Sequence, residues 1–234
     1  MQEGDDNIVS FKNIMKNIQK LSMRHQTWKV FSDFCEMSAI AISNSVDKVN
    51  KDKRETRYLD IVKQYEKEEI DLFPTMFADL VESLQFHAEN HKLEDVLGRI
   101  FHELELHNQW KGQYFTPMNV CNAMGQMTLQ GHDEIIKQNG YITVGEPCVG
   151  SGAMVLGIAN ALIEGGYNYS KHMVVTGTDI DLKCVHMAYI QFSLYGIPAI
   201  VVHGNSLTVE TWSTWYTPLY AWGRANGRIK DVVI

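Results

Sequence analysis

At 234 residues with 45% hydrophobic side chains, the chain has room for one large or two small globular units. Four widely spaced cysteines (Cys35, Cys121, Cys148, Cys184) without a Cys-x-x-Cys pair speak against a disulfide framework and a zinc site. The acidic start, Glu3 to Asp6, and the lack of a long apolar run argue against a signal peptide or membrane span, so a reducing cytoplasm is the expected compartment. Net charge is −7; residues 1–110 carry 14 Lys plus Arg against 20 Asp plus Glu, which leaves the chain little electrostatic hold on nucleic acid of its own.

Residues 8 to about 108 carry helical periodicity throughout. Trp28, Phe31, Phe34, Cys35, Ser38 and Ile42 form a broad apolar face. The polar stretch that follows, Asp47 to Glu55, is rich in lysine and reads as a solvated linker running to Arg57. Tyr58, Ile61, Val62 and Tyr65 repeat at i, i+3, i+4, i+7. Pro74 suits the first turn of a helix carrying Phe77, Leu80, Val81 and Leu84, and Leu93, Val96, Leu97, Ile100, Phe101 and Leu104 make a further stripe.

Near residue 110 the pattern changes, which predicts an all-α unit over 1–110 and an α/β unit over 111–234. Thr116 and Pro117 open a helix with Val120, Cys121, Met124 and Met127 expected to face inward. Strands at 141–144, 172–178 and 199–203 alternate with helices at 152–164 and 182–194, and a last strand is expected near 229–234. That alternation predicts right-handed crossovers and a parallel, Rossmann-like sheet, with ligand at the carboxyl ends of its strands. The rings Trp212, Trp215, Tyr216, Tyr220 and Trp222 suit either an amphipathic cap over the sheet or, less readily with few basic neighbours, a base-stacking platform.

Chemistry concentrates where the strands end. After the strand at 141–144 come Glu146, Pro147, Gly150 and Gly152, then an apolar helix whose free N–H groups and dipole favour a ligand at its start. Val155 stands where a dinucleotide fingerprint needs its third glycine, and no Gly-Lys-Ser/Thr occurs, so neither a nicotinamide nor a Walker site matches. The second strand runs into Asp179, Ile180 and Asp181. Asp179 is placed to grip ribose hydroxyls and Asp181 to cap the next helix. His87 and His91 lie four apart, yet with no third ligand evident they do not suggest a metal site. Cys148, lacking a His or second Cys, reads as a packing residue.

The order Gln113-Tyr114-Phe115-Thr116-Pro117, Glu146-Pro147-x-x-Gly150-x-Gly152, Thr178-Asp179-Ile180-Asp181 and Gly204-Asn205-Ser206-Leu207 resembles the S-adenosylmethionine-dependent methyltransferases. Within them it is most similar to the adenine-N6 DNA methyltransferases and the modification subunits of type I restriction systems. The resemblance implies S-adenosylmethionine as cofactor, with Gln113 to Pro117 closing over its methionine end and Glu146 to Gly152 binding it. Asp179 with Ile180 would hold the ribose, and Asn205, where the family usually has an acid, would meet the adenine.

The resemblance further implies DNA as substrate, reached through a specificity subunit or through sequence outside this chain, with the acidic helical part offering a surface to a protein partner. The family's catalytic Asn/Asp-Pro-Pro-Tyr/Phe is not found, since the sequence has no Pro-Pro. The stretch Arg228 to Ile234 reads as the strand that should precede it. Two expectations therefore stand: an adenine-N6 methyltransferase whose catalytic loop lies past Ile234, or a cofactor-binding module without chemistry.

Overall fold

The computed structural model describes residues 3–106 and 115–230. The first part is helical: α1 (Glu3–Leu21), α2 (Thr27–Ser43), α3 (Lys51–Val62), α4 (Lys67–Ile70), α5 (Leu72–Glu89) and α6 (Val96–Glu103). The apolar stripes turn inward as their spacing requires: Phe31, Phe34, Ile61, Leu80, Leu84, Leu97, Ile100 and Phe101 are each almost fully buried.

The lysine-rich stretch departs from expectation. It is not a linker, because α3 starts at Lys51 and its Arg54 is buried. The Arg54 guanidinium pairs with Asp47 at 2.7 Å, donates to the Thr214 carbonyl at 2.9 Å and lies 3.9 Å from the Trp215 ring centroid. A cation there is tolerable because the guanidinium has a carboxylate and a carbonyl for its N–H groups and an indole ring against one face.

The second part runs α7 (Met118–Thr128), α8 (Asp133–Asn139), β1 (Ile142–Glu146), α9 (Ala153–Glu164), α10 (Tyr169–His172), β2 (Met173–Asp179), α11 (Leu182–Leu194), β3 (Ala199–Asn205), β4 (Glu210–Tyr216) and α12 (Pro218–Ala225). The sheet order is β1-β2-β3-β4, with β1, β2 and β3 parallel as expected. β4 corrects the expectation of an all-parallel sheet. It pairs antiparallel with β3, Ile200 opposite Tyr216, through a bulge at His203 and Gly204. The aromatic stretch thus splits between a strand and a helix: Trp215 enters the core and Tyr220 covers the sheet's second face with Ile229, above Val174, Ile200 and Val202. Arg228 to Lys230, expected in the last strand, form a bend and no strand, and the remainder of that expected strand, 231–234, lies outside the described residues.

α7 also differs from its expected orientation. Cys121 is buried, but Val120, Met124 and Met127 are exposed. The cause is close backbone packing on α9: a Cβ on Gly125 would lie 2.4 Å from the Gly157 carbonyl oxygen, and one on Gly157 would lie 2.3 Å from the Cys121 carbonyl oxygen. Contact runs through the small residues, so the larger apolar side chains of α7 flank the seam. One continuous cluster of buried side chains, from Ile14 through Phe101 to Val201 and Trp215, joins the helical layer to the sheet's first face. No helix among the described residues is long and apolar enough to cross a membrane.

Candidate cofactor site

The turn between β1 and α9 is shaped by two left-handed glycines, Gly150 at φ +54° and Gly152 at φ +103°. A Cβ on Gly152 would stand 2.6 Å from the Phe192 ring, so glycine is required there for both conformation and space. Backbone pairing ties the turn to the second strand, the Val149 N–H donating to the Thr178 carbonyl at 2.9 Å. Glu146 accepts from the Cys148 N–H at 3.1 Å and so folds the entry to the turn onto itself.

Asp179 ends β2 beside this turn. One of its oxygens accepts from the Gly150 N–H at 2.9 Å and the other from the Asp181 N–H at 2.9 Å. Each oxygen keeps a lone pair for a ligand hydroxyl. Burial pushes the Asp179 carboxyl above its usual range, against the backbone N–H bonds that favour the anion. Next to it Ile180 is 61% exposed, an apolar side chain presented to solvent at a strand end. Asp181 caps α11 as expected, accepting from the Lys183 N–H at 2.9 Å.

At the end of β3, the Asn205 side-chain oxygen accepts from the N–H groups of Leu207 at 3.0 Å and Thr208 at 3.3 Å. With that oxygen committed to the turn, the amide nitrogen is the group left as a donor. The Ser206 hydroxyl donates to the Pro147 carbonyl at 2.8 Å and joins the loops after β1 and β3.

Of the segment expected to close over the site, Gln113 and Tyr114 lie outside the described residues. The Phe115 N–H donates to His102 Nε2 at 3.2 Å, and its ring packs over Gly150, 3.2 Å from where a Cβ would be. Phe115, Thr116, Gly150 and Asp179 line a cleft of about 200 Å³, whereas Glu146, Pro147 and Asn205 border a cavity of about 510 Å³ at the sheet's second face. Pro117 lines a third, of about 1010 Å³, on the helical layer, together with His102 and Arg99.

The expected residues that are described and line a cavity therefore divide among three and do not enclose one pocket. The 200 Å³ cleft takes only part of a nucleoside-sized ligand. Cys148, expected to pack, is instead exposed at the cleft. Among the described residues no group of three or more His, Cys, Asp or Glu side chains could hold a metal.

Three parallel strands, a left-handed glycine turn after the first and an acid ending the second define a Rossmann-like methyltransferase core. A carboxylate beside a left-handed glycine turn, next to the exposed Ile180, is chemically compatible with the adenosyl cofactor of that class. The chain belongs to the N-6 DNA methylase family, whose model matches residues 91–223, and this membership bears out S-adenosylmethionine as the cofactor.

Among solved structures, the chain is similar to a protein assigned as a class I S-adenosylmethionine-dependent methyltransferase from Listeria monocytogenes, with 11% identity and a TM-score of 0.47. That match covers 87% of this chain and 54% of the other, so the chain spans about half of its length. No curated protein matches the chain.

Proposed function

We propose that the chain is the cofactor-binding part of an S-adenosylmethionine-dependent adenine-N6 DNA methyltransferase, as a modification subunit of a restriction-modification system or a piece of one. The observation that carries this reading is the pairing of the Asp179 carboxylate with the Gly150 N–H across two adjacent parallel strand ends. It puts a hydroxyl acceptor and the glycine turn at one place.

Asp179 takes the ribose hydroxyls into its two remaining lone pairs, and Ile180 provides the apolar face for a flat base. Asn205, with its oxygen committed to its own turn, donates from its amide to a ring nitrogen of the adenine; it does not accept from the amine. Glu146 and the turn receive the amino-acid end, and Phe115 shields Gly150 from water. The bound cofactor supplies a methyl group on a sulfonium. For transfer to an adenine extruded from the duplex, the protein's task is alignment, which contributes up to about 7–11 kcal/mol.

With its acidic helical layer the chain meets DNA through a specificity subunit or through further sequence. The test is a tritiated-methyl assay on mixed genomic DNA, run with residues 1–234 and with the whole gene product, followed by nucleoside chromatography. Label in N6-methyladenine from the whole product is expected, with cofactor binding but no transfer from residues 1–234. Label in cytosine contradicts the adenine-N6 reading; no label from the whole product with its partner contradicts the methyltransferase reading and, together with cofactor binding, would indicate a module without chemistry.

A further inference from the structure

The glycine turn is held from behind by a side chain outside the β1–α9 unit. Ser151, 1% exposed between the two left-handed glycines, donates its hydroxyl to Asp95, at the head of α6 in the helical layer. Asp95 also accepts from the Gly98 N–H at 2.9 Å and from Gln191 Nε2 at 2.8 Å. That same Gln191 nitrogen donates to the Ser151 carbonyl at 2.8 Å, and the Gln191 oxygen accepts from the Leu97 N–H at 3.2 Å.

The strap 93–98 is locked on either side of this triad. Asn160 on α9 bonds both the N–H and the carbonyl of Leu93, and the Tyr195 hydroxyl bonds both the N–H and the carbonyl of Glu94.

We propose that Asp95 is a positioning residue of the cofactor turn: through Ser151 it fixes the Gly150–Gly152 backbone in the conformation that receives the cofactor. The proposal rests on the cofactor reading above. Two glycines one residue apart, both in conformations that other residues rarely adopt, leave a turn with many alternatives. Gripping the residue between them by hydroxyl and carbonyl removes most of that freedom before ligand arrives, and pre-organisation of this kind strengthens binding. All three of Asp95's partners are donors, so it serves as a full acceptor; its burial, opposed by these bonds, shifts its carboxyl upward. A neutral amide would preserve much of the grip, because an Asn nitrogen can donate to the Ser151 oxygen while its oxygen keeps the other two bonds.

The test compares S-adenosylmethionine affinity by calorimetry with backbone exchange by mass spectrometry. Ser151→Ala and Asp95→Ala should each weaken binding about tenfold and speed amide exchange over 148–156, while Asp95→Asn should stay within about threefold of wild type. Leu84→Ala, a cavity in the helical layer far along the chain from the turn, controls for general destabilisation and should leave affinity and turn exchange unchanged.

If Asp95→Ala does not fold, Ser151→Ala carries the comparison. Unchanged affinity and exchange in Ser151→Ala, or equal effects in Leu84→Ala, overturn the proposal. If wild type does not bind S-adenosylmethionine, the cofactor reading fails instead, and turn exchange in the same variants decides the clamp.

Discussion

The Gly150 N–H donates to an Asp179 carboxylate oxygen at 2.9 Å, so the first and second strand ends share one hydrogen bond at the mouth of the cleft. Removing the carboxylate should cost both the ribose contact and this tie. Asp179→Ala is expected to weaken S-adenosylmethionine binding by about 1–3 kcal/mol. Asp179 must be ionised to accept two hydroxyls, and its carboxyl is shifted upward by burial. Wild-type affinity should therefore be constant at neutral pH and fall on acidification, starting above the ordinary carboxylate range. Calorimetry from pH 7.5 downward, at roughly half-unit steps, checks this, and an equally steep fall in Asp179→Asn would count against it.

Arg54 links the helical layer to β4 through Asp47, Thr214 and Trp215. Truncating it leaves Asp47 buried without its cation and the Trp215 ring uncovered. Arg54→Ala should lose about 3–5 kcal/mol in denaturant melts. Arg54→Lys should recover only part, because a lysine cannot reach the carbonyl and the carboxylate together while stacking on the ring. A loss near zero would mean that the Arg54 contacts add nothing to the joint between the helical layer and β4.

At Gly157 two effects oppose each other. Alanine is better in a helix by about 1 kcal/mol. Its Cβ, however, would stand 2.3 Å from the Cys121 carbonyl oxygen, a backbone atom that cannot rotate away. Overpacking of this kind costs about 1–3 kcal/mol, so Gly157→Ala should lower the melting temperature. A raised melting temperature would show that α7 and α9 move apart freely.

His186 is 3% exposed, its ring edge-on to Trp215 at 4.9 Å, and burial, with lesser effects from His203 and Arg54, depresses its pKa from 6.5 to about 3. The unfolded chain takes the proton first. The neutral ring's contribution is therefore complete above pH 6.5 and is lost as pH falls toward 3. His186→Phe should flatten the stability profile in that window, and chemical denaturation at stepped pH reads the slope. An unchanged slope would place the acid sensitivity elsewhere.

Much of the core was legible because β-branched runs such as Val174–Val175 and Ile200–Val202 can only be strands when flanked by glycine turns and capped helices. The helix from Leu182 was marked by Asp181, whose capping role depends on local sequence alone. β4 was hidden by its rings: Trp and Tyr suit a strand as well as an amphipathic helix, and nothing in the rings themselves fixes an antiparallel pairing such as Ile200 opposite Tyr216. Arg54 escaped notice for a similar reason, since a basic run gives no sign that one guanidinium will find a carboxylate, a carbonyl and an indole. Asp95 caps α6, a local role, but nothing in the sequence ties it to Ser151 across 56 positions. Turns and caps are local chemistry and can be read; long-range polar pairing is set by the packing of the whole.

The central claim is that the turn and Asp179 receive S-adenosylmethionine and not a nicotinamide dinucleotide. Isothermal titration of the wild-type chain with each ligand in parallel tests it most directly. Saturable one-to-one heat with S-adenosylmethionine, and none with NAD, is the expected result, in keeping with Val155 at the third-glycine position. Tight NAD binding, or no heat from S-adenosylmethionine with a folded protein, would contradict the account.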